Sequence, residues 1–138
     1  MRYNYFDVTA DIGVEAYGKT LEEAFENGAQ AVFDLAANTA TIQPEIEKEI
    51  KIESEDLESL LRDYISELLS LSEAEGIVFC KNEVKKIEQV KDYRLNSVAY
   101  GQPFNERIET KTYVKAITYY LMEIKEEDGY KLRFVLDV

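Results

Sequence analysis

The sequence predicts an α+β fold, with a mostly antiparallel, curved sheet and two helices packed on one of its faces. Two segments carry apolar residues at helical spacing, and the second ends at Gly76. After Gly76 four strand-like segments follow one another, so strands and helices do not alternate as they do in a parallel βαβ sheet. No repeat, low-complexity segment or linker divides the chain. The sequence therefore predicts a single domain over residues 1–138.

The first part of the chain predicts two short strands followed by a helix. Residues 3–18 form the strands around the stretch FDVTADIG. Gly18 ends the second strand, and Thr20 with Glu23 three residues later is a capping box, which starts a helix. Apolar residues then recur at helical spacing, which predicts a helix from about residue 20 to residue 37.

The next segment predicts a strand and the second helix. Residues 46–52 combine isoleucines with charged residues, which is typical of a strand with one solvated face. Ser54 is expected to cap the helix, and acidic residues in its first turn favour the helix dipole. Leucines from Leu57 to Leu69 line the apolar face, and Gly76 ends the helix.

The rest of the chain predicts four further strands: 77–90, 93–100, 112–125 and 130–138. A loop over residues 101–105 separates the second of these strands from the third. The last two strands form a hairpin. A two-residue turn would mix its polar and apolar faces, whereas a three-residue loop with Gly129 in the left-handed region keeps them apart. The three-residue loop predicts two apolar pairs: Ile124 with Leu132 and Met122 with Phe134.

The same register defines a polar face on this hairpin. It places Glu123 opposite Arg133 and Tyr119 opposite Asp137, with Lys115 on the same face further along the strand. Neither the fold nor solubility requires an aspartate at position 137. We therefore predict that Lys115, Glu123 and Asp137 belong to a functional surface that contacts a partner.

The composition excludes several classes of function. The chain has a net charge of −12 and no histidine. A Ser-His-Asp or Cys-His catalytic arrangement is therefore impossible within the chain, and a zinc site lacks ligands. Residues 44–75 hold eleven acids against three bases, which contributes −8 of the net charge. Because an acidic surface repels nucleic-acid phosphates, we expect no tight direct binding of nucleic acid and favour a basic protein partner.

Cys80 is the single cysteine of the chain and lies in an apolar run. It is interpreted as a buried thiol rather than a reactive one. Since no disulfide can form within the chain, a reducing cytoplasm is the expected location. No apolar run approaches the length of about 20 residues that spans a membrane, so no membrane association is expected.

The stretch FDVTADIG has two interpretations from its residues alone. Asp7 and Asp11 are compatible with a capped turn, since Asp and Thr bond their own backbone and Gly supplies positive φ. The two carboxylates also suit a hard cation, which takes oxygen ligands, but the residues alone favour the turn. A local EF-hand loop is rejected, because Ile12 stands at its sixth position and Gly18 at its twelfth. A cation site assembled with another part of the chain stays open.

Three collinear segments carry a family resemblance: DVTADIGVEAYGKTLEEAFENGAQAVFDL, LLRDYISELLSLSEAEG, and the closing VKAITYY…FVLDV. Together they cover nearly the whole chain. In this order they resemble the archease family, the small accessory proteins of the RtcB-type ligase that joins tRNA halves. Val8 and Tyr120 stand where the family usually has histidine. These two differences put in doubt only functions that would depend on the histidine side chains.

The resemblance implies an activator, not an enzyme. Archeases promote guanylylation of the ligase and its multiple turnover, and they broaden its nucleotide use, so the implied partner is an RtcB-type RNA ligase. A general chaperone or assembly modulator of nucleic-acid-processing proteins is the alternative, and it would need an exposed apolar groove. An independent hydrolase using metal-bound water is a third option, which no catalytic pair or phosphate loop supports.

The resemblance also implies a divalent-cation site, with calcium the expected ion. Its ligands would be Asp11, Asp137 and Val138, the last through its carboxyl or main-chain oxygen. The lysine of the family's K-A-x-T-Y segment falls on Lys115. Asp11 and Asp137 meet only if the strands that carry them are neighbours in the sheet.

Overall fold

The computed structural model describes residues 2–138. Its elements in chain order are β1 (Tyr3–Val8), β2 (Asp11–Gly18), α1 (Leu21–Ala36), a short 3-10 helix (Thr39–Thr41), β3 (Ile46–Ser54), α2 (Leu57–Glu75), β4 (Ile77–Gln89), β5 (Tyr93–Pro103), β6 (Ala116–Glu126) and β7 (Tyr130–Asp137). The α+β class, the antiparallel strands and the two helices are confirmed. Each predicted strand and helix is present, with ends shifted by a few residues.

The strands are divided between two antiparallel sheets. The first sheet has the order β1-β2-β7-β6, and the second has the order β3-β5-β4. The sequence indicated one curved sheet and carried no sign of this division. Both helices contact both sheets, since α1 packs against β2 and β4 while α2 packs against β6 and β3.

One apolar core lies between the helices and the two sheets. Its largest fully buried side chains come from both helices and both sheets and include Phe25, Leu61, Tyr64, Leu95 and Phe134. Removal of this apolar surface from water is the main term that stabilises the arrangement. In the described part of the chain no helix is long and apolar enough to cross a membrane.

Helix α1 joins the two sheets by covering the outer edge of β4. The carboxylate of Glu26 accepts a hydrogen bond from the main-chain N–H of Val84 at 3.0 Å, and that of Glu22 accepts one from Ile87 at 3.2 Å. Burial raises the pKa of Glu26, because the charged form loses solvent there. These side chains satisfy main-chain groups that an uncovered edge strand would leave without partners.

Cys80 lies on β4 and is partly rather than fully buried. Its thiol donates a hydrogen bond to the carbonyl oxygen of Tyr100 at 3.4 Å. Burial raises the pKa of the Cys80 thiol. Because the thiolate is the reactive form, this environment agrees with the interpretation of an unreactive cysteine.

Two predicted boundaries are wrong. The N-cap of α2 is Asp56, whose side chain accepts a hydrogen bond from the N–H of Ser59 at 2.7 Å. Ser54 instead ends β3, because the ladder between β3 and β5 continues to the pair Ser54–Tyr93. The predicted loop also begins too early, since β5 extends to Pro103 and pairs with β3 as far as Gly101 and with β4 as far as Pro103.

The hairpin register is confirmed next to the β6–β7 turn. Gly129 has φ +106° in a three-residue loop. Glu123 lies opposite Arg133, and Ile124 lies opposite Leu132, as the loop chemistry predicted.

A bulge in the middle of β6 shifts the remainder of the hairpin. On β6, the four residues 119–122 lie between the pairs Thr118–Val135 and Glu123–Arg133, whereas on β7 only Phe134 lies between these pairs. The register therefore moves by three residues. Ala116 therefore lies opposite Asp137. Two predicted pairs are wrong for this reason: Met122–Phe134 and Tyr119–Asp137. The segment TYYLM contains no glycine or proline that would have marked the irregularity.

Gly101 lies at a close approach between β4 and β5 and yields the first prediction. It lies opposite Phe79 of β4, and a Cβ added to it would lie 2.0 Å from the main-chain oxygen of Val78. We expect Gly101→Ala to lower the free energy of unfolding by about 2–3 kcal/mol, because the backbone of β4 must move. Urea unfolding followed by circular dichroism measures the change.

Gly76→Asn is the matched control. Gly76 has φ +64° and no atom within 4 Å of an added Cβ, and asparagine tolerates this conformation. We expect the loss to stay within about 1 kcal/mol. If Gly101→Ala cost no more than the control, the close approach of β4 to β5 would be disproved.

Candidate functional site

The position of β7 between β2 and β6 brings Asp11 and Asp137 to the same end of the first sheet. The ladder between β2 and β7 ends at the pair Ile12–Leu136. Asp11 and Asp137 are the next residues on these two neighbouring strands, and Val138 follows directly. Directly opposite residues of an antiparallel pair have their Cβ atoms about 4.5–5.5 Å apart. The strand order thus meets the condition for a site shared between these two aspartates.

Both aspartates lie on the face of the sheet that points away from the helices. Successive side chains of a strand alternate between faces. The fully buried Val14, Ala16 and Leu136 occupy the even positions of β2 and β7. Asp11 and Asp137 occupy odd positions and are partly exposed. We call this side of the first sheet the open face.

Further along the open face, acidic side chains are paired with basic ones. The Oε2 atom of Glu15 lies 2.9 Å from Nζ of Lys131 and 3.3 Å from Nη2 of Arg133. The hydrogen bond with Lys131 holds the pKa of Glu15 below its usual range. Glu123 lies 2.9 Å from Lys125 and 3.9 Å from Arg133. The negative charges in this part of the face are therefore compensated.

Asp11 and Asp137 differ from these acids. Over residues 2–138 neither of them forms a salt bridge. Neighbouring carboxylates repel each other unless a proton or a cation compensates them. The described residues contain no group of three or more Asp, Glu, Cys or His that could hold a metal ion. A cation at this pair would therefore need main-chain oxygens and water in addition to the two carboxylates.

The turn before Asp11 is strained. Val8 pairs with Asp11, so Thr9 and Ala10 form a two-residue turn between β1 and β2. Thr9 has φ +40°, a region that β-branched residues adopt rarely. Such conformations persist where surrounding structure enforces them and occur often at functional sites. The turn and ligand interpretations of FDVTADIG are thus compatible with each other.

The other residues of FDVTADIG have different surroundings. Asp7 lies at an odd position of β1, on the side where Tyr5 donates a hydrogen bond to Ala31 of α1, and is exposed. Gly13 lies opposite Phe6, and a Cβ added to Gly13 would lie 2.2 Å from the Phe6 ring. Glycine is therefore needed at position 13 to admit the ring, not to make the turn.

The structure does not place Lys115 and Glu123 together. The main-chain N–H of Lys115 donates to the carbonyl oxygen of Asp137 at 2.8 Å, but Lys115 also lines a cavity of about 450 Å³ with residues of α1 and α2. Glu123 lies opposite Arg133. Arg133 is four residues from Asp137 on β7, which corresponds to about 13 Å at the usual rise of a strand. The predicted polar face is therefore wrong for Lys115, because the bulge in β6 shifts the register by three residues, whereas Glu123 and Asp137 both lie on the open face.

Sequence reasoning missed the exposed side chains of that bulge. Tyr119, Tyr120 and Leu121 are 53%, 61% and 45% exposed. Strict alternation had placed Tyr120 on the apolar face. Three large apolar residues in succession were the available signal, since alternation cannot bury all three.

The comparisons with known proteins decide the family. The model of the Archease protein family matches residues 3–138. The chain belongs to the archease family. The resemblance found in the three sequence segments is therefore confirmed.

Curated relatives and solved structures agree with this assignment. Protein archease of Methanothermobacter thermautotrophicus is 42% identical over 137 residues, which cover 99% of this chain and 98% of the relative. Protein archease of Sulfolobus acidocaldarius is 44% identical over 139 residues, 99% of each chain. The solution structure of Methanobacterium thermoautotrophicum protein 1598 superposes with a TM-score of 0.85 at 39% identity, covering 99% of this chain and 98% of that one. A Thermotoga maritima crystal structure, titled an archease and possible chaperone, has a TM-score of 0.62 at 23% identity, covers 100% and 98%, and supports the fold alone.

The strain at Thr9 yields the second prediction. Asparagine adopts positive φ more readily than threonine, because its side chain is not β-branched. We expect Thr9→Asn to raise the free energy of unfolding by about 1 kcal/mol. Thermal and urea unfolding of the two proteins measure the difference. A lower free energy of unfolding in Thr9→Asn would contradict this, because it would mean that contacts of the threonine side chain stabilise the fold by more than the backbone strain destabilises it.

Proposed function

We propose that the protein activates an RtcB-type RNA ligase in tRNA splicing, as a cytoplasmic protein cofactor and not as an enzyme. In this role it promotes guanylylation of the ligase, allows multiple turnover and broadens nucleotide use. Membership of the archease family supports the proposal. The structural observation that carries it is the partly exposed Asp11–Asp137 pair at the end of two adjacent strands, in which neither carboxylate has a basic partner within residues 2–138.

Asp11, Asp137 and Val138 would hold a divalent cation. The donor set contains only oxygen, and calcium accepts irregular oxygen coordination completed by main-chain groups and water. With no histidine and one cysteine in the chain, softer metals lack their preferred ligands. Calcium is therefore the ion that fits best. Once bound, the ion would compensate the charge of the two carboxylates.

A protein partner fits the charge of the molecule better than RNA does. The net charge is −12, and phosphate contacts normally supply most of the non-specific affinity for nucleic acid. Any contact with RNA would then be made through the ligase. The side chains around the aspartate pair also offer no histidine to act as a general base near neutral pH. An accessory role is thus more consistent with this surface than catalysis.

Lys115 and Glu123 remain part of the proposed partner surface as two separate contacts. Lys115 is exposed and adjoins Asp137 through its main chain, so it is the nearer of the two to the proposed cation. Glu123 lies towards the β6–β7 turn and is already paired with Lys125. We therefore expect Lys115 to matter more for activation than Glu123.

A general chaperone or assembly modulator is the second candidate. The exposed Tyr119, Tyr120 and Leu121 favour it, since exposed apolar patches mark interaction sites. Three residues are too few to hold varied unfolded chains. The patch therefore suits one specific partner better than many.

Ligase turnover provides the third prediction. We expect the wild-type protein to let each ligase molecule join many RNA substrates, and Asp11→Asn to reduce this activation about tenfold or more, because one of the two carboxylates is lost. Asp7→Asn is the matched control, because it makes the same change in charge at an exposed position of β1 that lies on the helix side of the sheet. It should activate like the wild type.

Both variants should keep their free energy of unfolding within about 1 kcal/mol of the wild type. Full activation by Asp11→Asn would contradict the role of the aspartate pair. Absence of activation by the wild-type protein itself would contradict the proposed function.

A further inference from the structure

The bulge in β6 presents apolar side chains to solvent on an outer strand. β6 is the edge strand of the first sheet, beyond β7. Tyr119, Tyr120 and Leu121 follow one another there and are each at least 45% exposed. Edge strands are commonly protected by bulges, but the protecting side chains are usually charged. Protection of the edge therefore does not account for this choice of residues.

The backbone of the bulge is held in an unfavourable conformation. Leu121 has φ +57°, a region that residues other than glycine, asparagine and aspartate adopt rarely. The observed conformation turns the chain so that residues 119–122 stand out from the ladder. Such strain is maintained most often where the conformation itself is used.

Tyr119 attaches the bulge to helix α2. Its hydroxyl oxygen lies 3.3 Å from Oγ of Ser59, and the guanidinium of Arg62 lies 5.5 Å from the centre of its ring. Tyr120 and Leu121 are the next residues along the chain. The bulge is thus fixed at one side chain and offers the other two for contact.

Charge indicates what kind of partner would cover these side chains. Ser59 is in the first turn of α2, next to the exposed acids Asp56 and Glu58. Tyrosines can stack on nucleobases, but these neighbouring carboxylates repel a phosphate backbone. Arg62, the basic residue beside Tyr119, is itself paired with Asp63 at 2.9 Å. A protein pocket that is apolar inside and basic at its rim complements both features.

We propose that Tyr120 and Leu121 are the apolar anchor through which the protein docks onto its protein partner. The partner contributes an apolar pocket with lysine or arginine side chains around it. The inference rests on the proposed function, in which that partner is the RNA ligase. The bulge begins just after Thr118, which lies opposite Val135. Val135 is two residues before Asp137 on β7. Docking here brings the Asp11–Asp137 pair against the same partner.

The test compares two double variants that each remove two exposed apolar side chains. One is Tyr120→Ser with Leu121→Asn. The matched control is Val90→Ser with Phe104→Ser, since Val90 and Phe104 are 65% and 55% exposed and lie outside the first sheet. Fluorescence anisotropy measures the dissociation constant of each labelled protein with the purified RtcB-type ligase. Ligase turnover is measured separately.

We expect the bulge variant to bind the ligase about tenfold more weakly or worse, as loss of buried anchor residues does, and the control to stay within about twofold of the wild type. The single variant Leu121→Asn should unfold at the same temperature as the wild type or higher, because asparagine relieves the strained φ. A fall in its unfolding temperature that matched its loss of affinity would show a structural role and overturn the inference.

The remaining outcomes separate this inference from the proposed function. Equal binding by the wild type and the bulge variant overturns the docking role while activation can still hold. Binding without activation rejects the proposed function, and the affinity comparison still decides the role of the bulge. No binding by the wild type overturns both. Self-association or binding of a single-stranded RNA that disappears in the bulge variant would assign the surface to a second copy or to RNA, and would overturn the inference.

Discussion

The candidate site depends on the antiparallel pairing of β7 between β2 and β6. The register of a strand is determined by the residues that must face the core. Leu132, Phe134 and Leu136 of β7 are completely buried, so Asp137 is directed to the open face. A slip by one residue would expose these three side chains and move the carboxylate to the helix side. Core packing therefore positions the aspartate that the proposed function requires.

The aspartate pair and the strained residues Thr9 and Leu121 all lie in or next to strands of the first sheet. Glu15 on the open face is neutralised by Lys131 and Arg133, whereas Asp11 and Asp137 at the end of the same strands form no salt bridge within residues 2–138. The strained residues Thr9 and Leu121 lie on the turn before β2 and on the strand beside β7. The first sheet thus carries both proposed contact points, and the second sheet contributes to the core that supports it.

Local patterns predicted the helices, the strands and the β6–β7 turn, because capping residues, periodicity and Gly129 act over a few positions. The division into two sheets was not predictable in this way, since strand order depends on pairing between distant segments. The capping box identifies Thr20 correctly, but the sequence predicts Ser54 as the cap of α2 with Asp56 in its first turn. Both residue types cap well, and only the length of the β3–β5 ladder shows that Asp56 is the cap. The bulge in β6 left no turn residue in the sequence. The neighbourhood of Asp11 and Asp137 depends on the strand order, which the sequence left open and the structure supplies.

The most direct test of the account is a calcium titration of the ¹⁵N-labelled protein followed by NMR. If the aspartate pair binds the ion, the largest saturable changes in amide shift will occur at residues 9–13 and 136–138. The acidic helix α2, which carries more carboxylates, will change little. Changes concentrated on α2, or uniform weak changes without saturation, would contradict a cation site built by the pairing of β2 with β7.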